Sequence, residues 1–261
     1  MPIQYLKGAE PLYIKGSNTG CLLLHGAGGG TAWDLKEFAY TMNKKTGSTI
    51  WLPTLTGFGT QPEDLFDVNL SDWMNDARNG LKKLQEDCDQ LLILGHSMGG
   101  LLTLLLAVER PDIKAIVTWA APLGVRSRLF PLLPLITKIP ILKRVIPEKV
   151  PSGNSDLLRK LGWVGYDWIP SSIGFVAIEG LKALRTSIQN LTCPAFIIQG
   201  TKDEFISKNS AQEIFDSIRS DIKEIWLINN ATHDLMNEEQ YKEELFIRTI
   251  TFFEKTLILT Q

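Results

Sequence analysis

Short β-rich or apolar runs recur along the chain at Cys21–His25, Thr49–Pro53, Leu91–Gly95, Lys114–Trp119, Ala195–Gly200 and Glu224–Ile228. Runs of about five or six residues have the length of buried strands. Between them, the spacing of apolar positions predicts helices over Trp33–Lys45, Leu70–Cys88, Met98–Arg110, Ser207–Arg219 and Glu238 to about Thr256. Alternating β and α elements imply an α/β fold, a mostly parallel sheet with helices on both faces. Ligands then bind at the carboxyl ends of the strands.

The alternation breaks between Pro122 and about Asn190, where no clear strand is seen and seven prolines fall: Pro122, Pro131, Pro134, Pro140, Pro147, Pro151 and Pro170. Repeated prolines limit helices to short pieces. Apolar residues are nevertheless dense there, among them Leu129, Phe130, Leu132, Leu133, Leu135 and Ile136. Such a segment packs on something and does not behave as a linker. The expected organisation is a core of residues 1–121 and 191–261 with a helical cap, residues 122–190, over the carboxyl edge of the sheet.

The 261 residues carry 27 basic and 29 acidic side chains, a net charge of −2, so the whole-chain field offers nothing to nucleic acid. Three scattered cysteines, Cys21, Cys88 and Cys193, suit neither a disulfide framework nor a zinc site. They are read as reduced thiols in the cytoplasm. Met1–Gly20 lacks the apolar stretch of a signal peptide, and Leu101–Val108 is far short of a membrane span.

The strongest chemical signal is Gly95-His96-Ser97-Met98-Gly99, preceded by Leu91-Leu92-Ile93-Leu94 and followed by Gly100-Leu101-Leu102. The pentapeptide alone also describes a tight turn without chemistry. Its strand-turn-helix setting is what a nucleophile elbow requires, because the strained turn exposes the serine while glycines admit neighbouring backbone. A serine hydroxyl needs a base, and the chain has three histidines. His96 adjoins Ser97 on the same turn and is expected to point away from it, and His25 belongs to a glycine loop. His233 follows the last strand in a short polar loop, which delivers its imidazole to the sheet edge.

From Ile113 to Pro147 there is no Asp or Glu, so the acid must come from the next strand, Ala195–Gly200, and its turn Thr201-Lys202-Asp203-Glu204. Asp203 is the choice, with Glu204 its close competitor and Asp234 a weaker one, since a neighbour of His233 reaches Nδ1 with difficulty. The order Ser97, Asp203, His233 matches that of the α/β-hydrolase triad. Oxyanion stabilisation requires two backbone N–H donors, assigned to Met98 after the nucleophile and Ala27 in the loop His25-Gly26-Ala27-Gly28-Gly29-Gly30. No Gly-Lys-Ser/Thr follows that loop and G-x-G-x-x-G is not completed, which argues against a nucleotide cradle.

On these motifs the chain resembles the α/β-hydrolase superfamily and, within it, the carboxylesterase and monoacylglycerol-lipase-like group. The resemblance rests on His25-Gly26-Ala27-Gly28, Gly95-His96-Ser97-Met98-Gly99, Gly200-Thr201-Lys202-Asp203 and Ala231-Thr232-His233, which span nearly the whole chain. It implies a cap between the sixth and seventh core strands, and a departure at Ala27, where such esterases often carry a bulkier residue such as Phe. It also implies a serine hydrolase acting on small hydrophobic carboxylic esters of short to medium acyl chains, with monoacylglycerols among the candidates, and with no metal or organic cofactor. The same triad serves amidases, thioesterases, carbon–carbon hydrolases and acyltransferases. A non-catalytic receptor holding a small ligand is the rival from another class. Phe130 and Leu133 of the cap are the expected substrate-binding residues. The basic residues Lys114, Arg126, Arg128, Lys138, Lys143 and Arg144 suit either a solvated lid face or a transient contact with a lipid surface.

Overall fold

The computed structural model describes residues 3–126, 147–152, 160 and 162–259. Seven strands form one sheet in the order β1-β3-β2-β4-β5-β8-β9: β1 (Leu12–Ile14), β2 (Thr19–Leu24), β3 (Thr49–Leu52), β4 (Gln90–His96), β5 (Ala115–Trp119), β8 (Ala195–Gly200) and β9 (Lys223–Ile228). All pairings are parallel except that of β1 with β3. β1 escapes the sequence reading because three residues are too few to establish a period of two.

The central strands are apolar on both faces, as strands between two helical layers must be. Leu22 and Leu24 of β2 and Leu91 and Ile93 of β4 enter one core, while Cys21, Leu23, Leu92 and Leu94 enter the other. The first core is closed by α2 (Leu70–Leu84), α3 (Met98–Glu109) and α4 (Ile173–Ser187), with α5 (Ser210–Ser217) contributing Ala211 and Ile214. The second is closed by α1 (Lys36–Thr46) and α6 (Glu239–Leu259), where Phe38, Trp119 and Phe246 pack ring on ring. Helix α2 starts where Asn69 accepts from the amides of Ser71 and Asp72 and the Asp72 carboxylate accepts the Asn69 N–H, a reciprocal cap. The stretch expected as one helix from Trp33 is two, a 3-10 turn Ala32–Leu35 and then α1.

Two features of the segment between β5 and β8 differ from expectation. Strands β6 (Lys149–Pro151) and β7 (Trp168–Pro170) pair antiparallel, away from the main sheet. Each contains or ends on a proline, which an isolated two-stranded ribbon tolerates at its edges. Helix α4 runs 15 residues, because no proline falls between Pro170 and Pro194 to stop it. The expected cap residues Phe130, Leu133, Arg128, Lys138, Lys143 and Arg144 lie outside the described residues. Among the described residues no helix is long and apolar enough to cross a membrane.

Candidate active site

Parallel strands bring their carboxyl ends to one edge, and four loops meet there, after β2, β4, β8 and β9. Ser97 occupies the turn between β4 and α3 with φ 53° and ψ −116°, a left-handed conformation that costs about 1–3 kcal/mol for a residue with a side chain. Close packing on all sides holds it. A Cβ on Gly95 would lie 2.1 Å from the Gly99 carbonyl oxygen, and one on Gly99 would lie 2.0 Å from that of Leu24, so only glycine fits at either position. The Ser97 N–H donates to the Trp119 carbonyl at 2.8 Å, which locks the elbow to the end of β5.

The turn after β8 and the loop after β9 are similarly fused. A Cβ on Gly200 would meet the Ala231 carbonyl oxygen at 2.2 Å, and the Lys202 N–H donates to that same carbonyl at 2.9 Å. This juxtaposition delivers Asp203 to His233. The Asp203 Oδ2 and His233 Nδ1 are 2.8 Å apart, and His233 Nε2 is 2.8 Å from Ser97 Oγ. The Asp203 side chain is fully buried and its Oδ1 accepts the Phe205 and Ile206 amides at 2.9 and 3.0 Å. Burial pushes this carboxyl up, but the bond to His233, its charge and the two amides prevail, and the group is held below the ordinary carboxylate range.

The competing acids are placed elsewhere. The Glu204 carboxylate accepts the main-chain N–H of His233 at 3.4 Å and does not bond its ring. Asp234, raised by burial, opens the 3-10 turn Leu235–Asn237. His96 is buried, its Nε2 lies 3.2 Å from the His233 carbonyl oxygen, and its ring meets the His233 ring at 5.1 Å. It therefore braces the loop of His233, a role that adjacency to Ser97 in the sequence does not disclose. Desolvation first, and then the neighbouring His233, push its imidazole down to about 3, so it is neutral.

In the glycine loop, His25 Nε2 accepts the Leu55 N–H at 3.0 Å, while its Nδ1 lies 2.8 Å from the Gly26 carbonyl oxygen. One acceptor and one donor are the needs of a neutral ring, and burial lowers this imidazole to about 4. A Cβ on Gly26 would lie 3.2 Å from both Ser97 Cβ and His96 Nδ1, so Ala27 follows a residue in direct contact with the serine. Met98 is the first residue of α3, whose opening amides have no intrahelical acceptor. The segment Trp163–Tyr166 clamps the same loop: Tyr166 N–H donates to the Gly29 carbonyl, and Thr31 Oγ1 donates to that of Val164 at 2.8 Å. Among the described residues no three His, Cys, Asp or Glu side chains are grouped to hold a metal ion.

A strained serine between strand and helix, with an imidazole on its hydroxyl and a buried carboxylate behind the imidazole, defines a class of fold and site with known members. Residues 21–246 match the Alpha/beta hydrolase family, and the chain belongs to it. It is a carboxylic ester hydrolase of the carboxylesterase and lipase kind. It is 30% identical over 252 residues to the thermostable monoacylglycerol lipase of Bacillus sp. (strain H-257), covering 96% of both chains. It is 26% identical over 243 residues to a carboxylesterase of Bacillus subtilis (strain 168), covering 89% of this chain and 95% of that one. Among solved structures, one from the metagenome-derived lipolytic enzymes LipS and LipT superposes with a TM-score of 0.86 at 29% identity, covering 97% of this chain and all of that one.

Proposed function

We propose that the protein hydrolyses carboxylic esters of short to medium acyl chains, monoacylglycerols among them, through an acyl-enzyme on Ser97. The observation that carries this reading is the relay from Ser97 Oγ through His233 to the buried Asp203, with two contacts of 2.8 Å. Ser97 Oγ attacks the ester carbonyl carbon as His233 Nε2 takes its proton. The tetrahedral intermediate places its oxyanion on the N–H groups of Ala27 and Met98. Its collapse breaks the bond to the alcohol oxygen, which receives the proton from Nε2. Water then attacks the acyl-enzyme by the same steps and frees the acid. Asp203 holds the imidazole orientation and stabilises the imidazolium.

Residues 122–190 serve in this reading as a cap over a core of residues 1–121 and 191–261, with Phe130 and Leu133 walling the acyl chain. The contacts of Trp163–Tyr166 with the glycine loop support a cap at this edge of the sheet. The similarity to a monoacylglycerol lipase supports the substrate class.

The test is acid quenching during turnover of 4-nitrophenyl butyrate, followed by peptide mass spectrometry. One butyryl group on the Ser97 peptide is the expected result. An acyl group on another residue, or undiminished turnover in the Ser97→Ala variant, would remove Ser97 from the role.

A further inference from the structure

Phe205 lies in the turn that carries Asp203, yet the residue is 51% exposed. A single exposed apolar ring is ordinary on a protein surface. This one is held in place. Its N–H donates to Asp203 Oδ1 at 2.9 Å, its carbonyl accepts the Arg126 N–H at 3.1 Å, and the next residue, Ile206, is buried and bridges Val125. The ring meets the His233 imidazole with centroids 5.1 Å apart and planes at 67°, edge to face. Of the two rings against that imidazole among the described residues, His96 is buried and Phe205 reaches solvent.

Position in the reaction gives the exposed ring a task. The proton leaves Nε2 for the alcohol oxygen, which must then come within about 2.6–3.2 Å of that nitrogen. The carbonyl oxygen, meanwhile, is directed to the amides of Ala27 and Met98. The substituent on the leaving oxygen therefore emerges beside the imidazole, where Phe205 offers apolar surface. We propose that Phe205 is the wall of the leaving-alcohol subsite and selects esters whose alcohol is alkyl or aryl. This specificity-determining role rests on the serine hydrolase reading above.

The experiment compares methyl, butyl and benzyl acetate with the full-length protein and its Phe205→Ala and Phe205→Leu variants. All three esters pass through one acetyl-Ser97, so an effect confined to the alcohol moves kcat/KM for acylation and leaves deacylation unchanged. Phe205→Ala is expected to lower kcat/KM about tenfold for butyl and benzyl acetate and less than about twofold for methyl acetate, with Phe205→Leu restoring most of the butyl value. Equal losses on all three esters would make Phe205 a positioning residue for His233, and an unchanged ranking would detach it from the substrate; either overturns the proposal. Undiminished turnover of the acetates by Ser97→Ala would instead overturn the serine hydrolase reading, and the wall with it.

Discussion

The N–H of Tyr166 donates to the carbonyl of Gly29 at 2.9 Å, tying the segment between β5 and β8 to the glycine loop beside Ser97. The same tyrosine reaches further. Its hydroxyl donates to the Gly57 carbonyl and accepts the Thr60 N–H, both at 2.9 Å, and its ring stacks on Phe58. Phe58 in turn packs against His25 and Trp73. One buried side chain thus joins the glycine loop, the loop after β3 and the late insertion.

Tyr166→Phe removes the hydroxyl from between a carbonyl and an amide while leaving the stacking intact. A buried polar group deprived of its partner costs about 1–3 kcal/mol. Urea unfolding should show a loss in that range with an unchanged m-value. A variant as stable as the wild type would mean that water replaces the hydroxyl without penalty.

Ser97 stores backbone strain at φ 53°. Ser97→Ala keeps the Cβ and the strain, whereas Ser97→Gly releases about 1–3 kcal/mol of it against roughly 1 kcal/mol of added unfolded-state freedom. Both variants should be inactive, and the glycine variant should unfold at the higher urea concentration. The reverse order would show that the elbow is not strained.

Asp203→Asn should lower kcat by about 10⁴, through an imidazole trapped in the wrong tautomer, and Glu204→Gln should change it little, since Glu204 touches only the main chain of His233. The Asp203 carboxyl is held below its ordinary 3.8, so ionised Asp203 stabilises the fold above that pH and the contribution is lost as pH falls through the folded value. The stability gap between wild type and Asp203→Asn should therefore narrow on acidification below about pH 4. A gap that widens in acid would contradict the assignment.

Asp34 accepts the Trp163 indole N–H at 2.9 Å, and burial, then the nearby Asp234, push its carboxyl up to about 8. A raised carboxyl adds stability that is full below its unfolded value of 3.8 and is lost as pH rises toward about 8. Relative to Asp34→Asn, the wild type should lose urea resistance between pH 5 and pH 9. Parallel profiles for the two proteins would exclude an elevated carboxyl at this position.

Much of the site was legible because its chemistry is confined to loop types that leave local marks. Gly95 and Gly99 mark the elbow since any Cβ there would run into backbone. His233 and Asp203 were selected by their places after strands and by the absence of acids from Ile113 to Pro147. Their meeting was not legible, because it depends on Gly200 admitting the Ala231 carbonyl of a loop 31 residues away. Nor was the bracing of the His233 carbonyl by His96, or the contact of Phe205 with the imidazole. The one signal for Phe205 was a bulky apolar residue in a polar turn, two positions after the acid.

The sequence by itself determined the layered α/β fold, since the period of apolar runs selects strands or helices, and doubly apolar strands must lie between two helical layers. It also determined which residue types stand at the carboxyl ends of the strands. Only the tertiary structure decided that β1 joins the sheet edge, that β6 and β7 pair outside it, and which carboxylate faces Nδ1 of His233. The physical reason is range: periodicity and turn chemistry act over a few residues, whereas a hydrogen bond between loops 30 residues apart depends on the register of the strands that carry them.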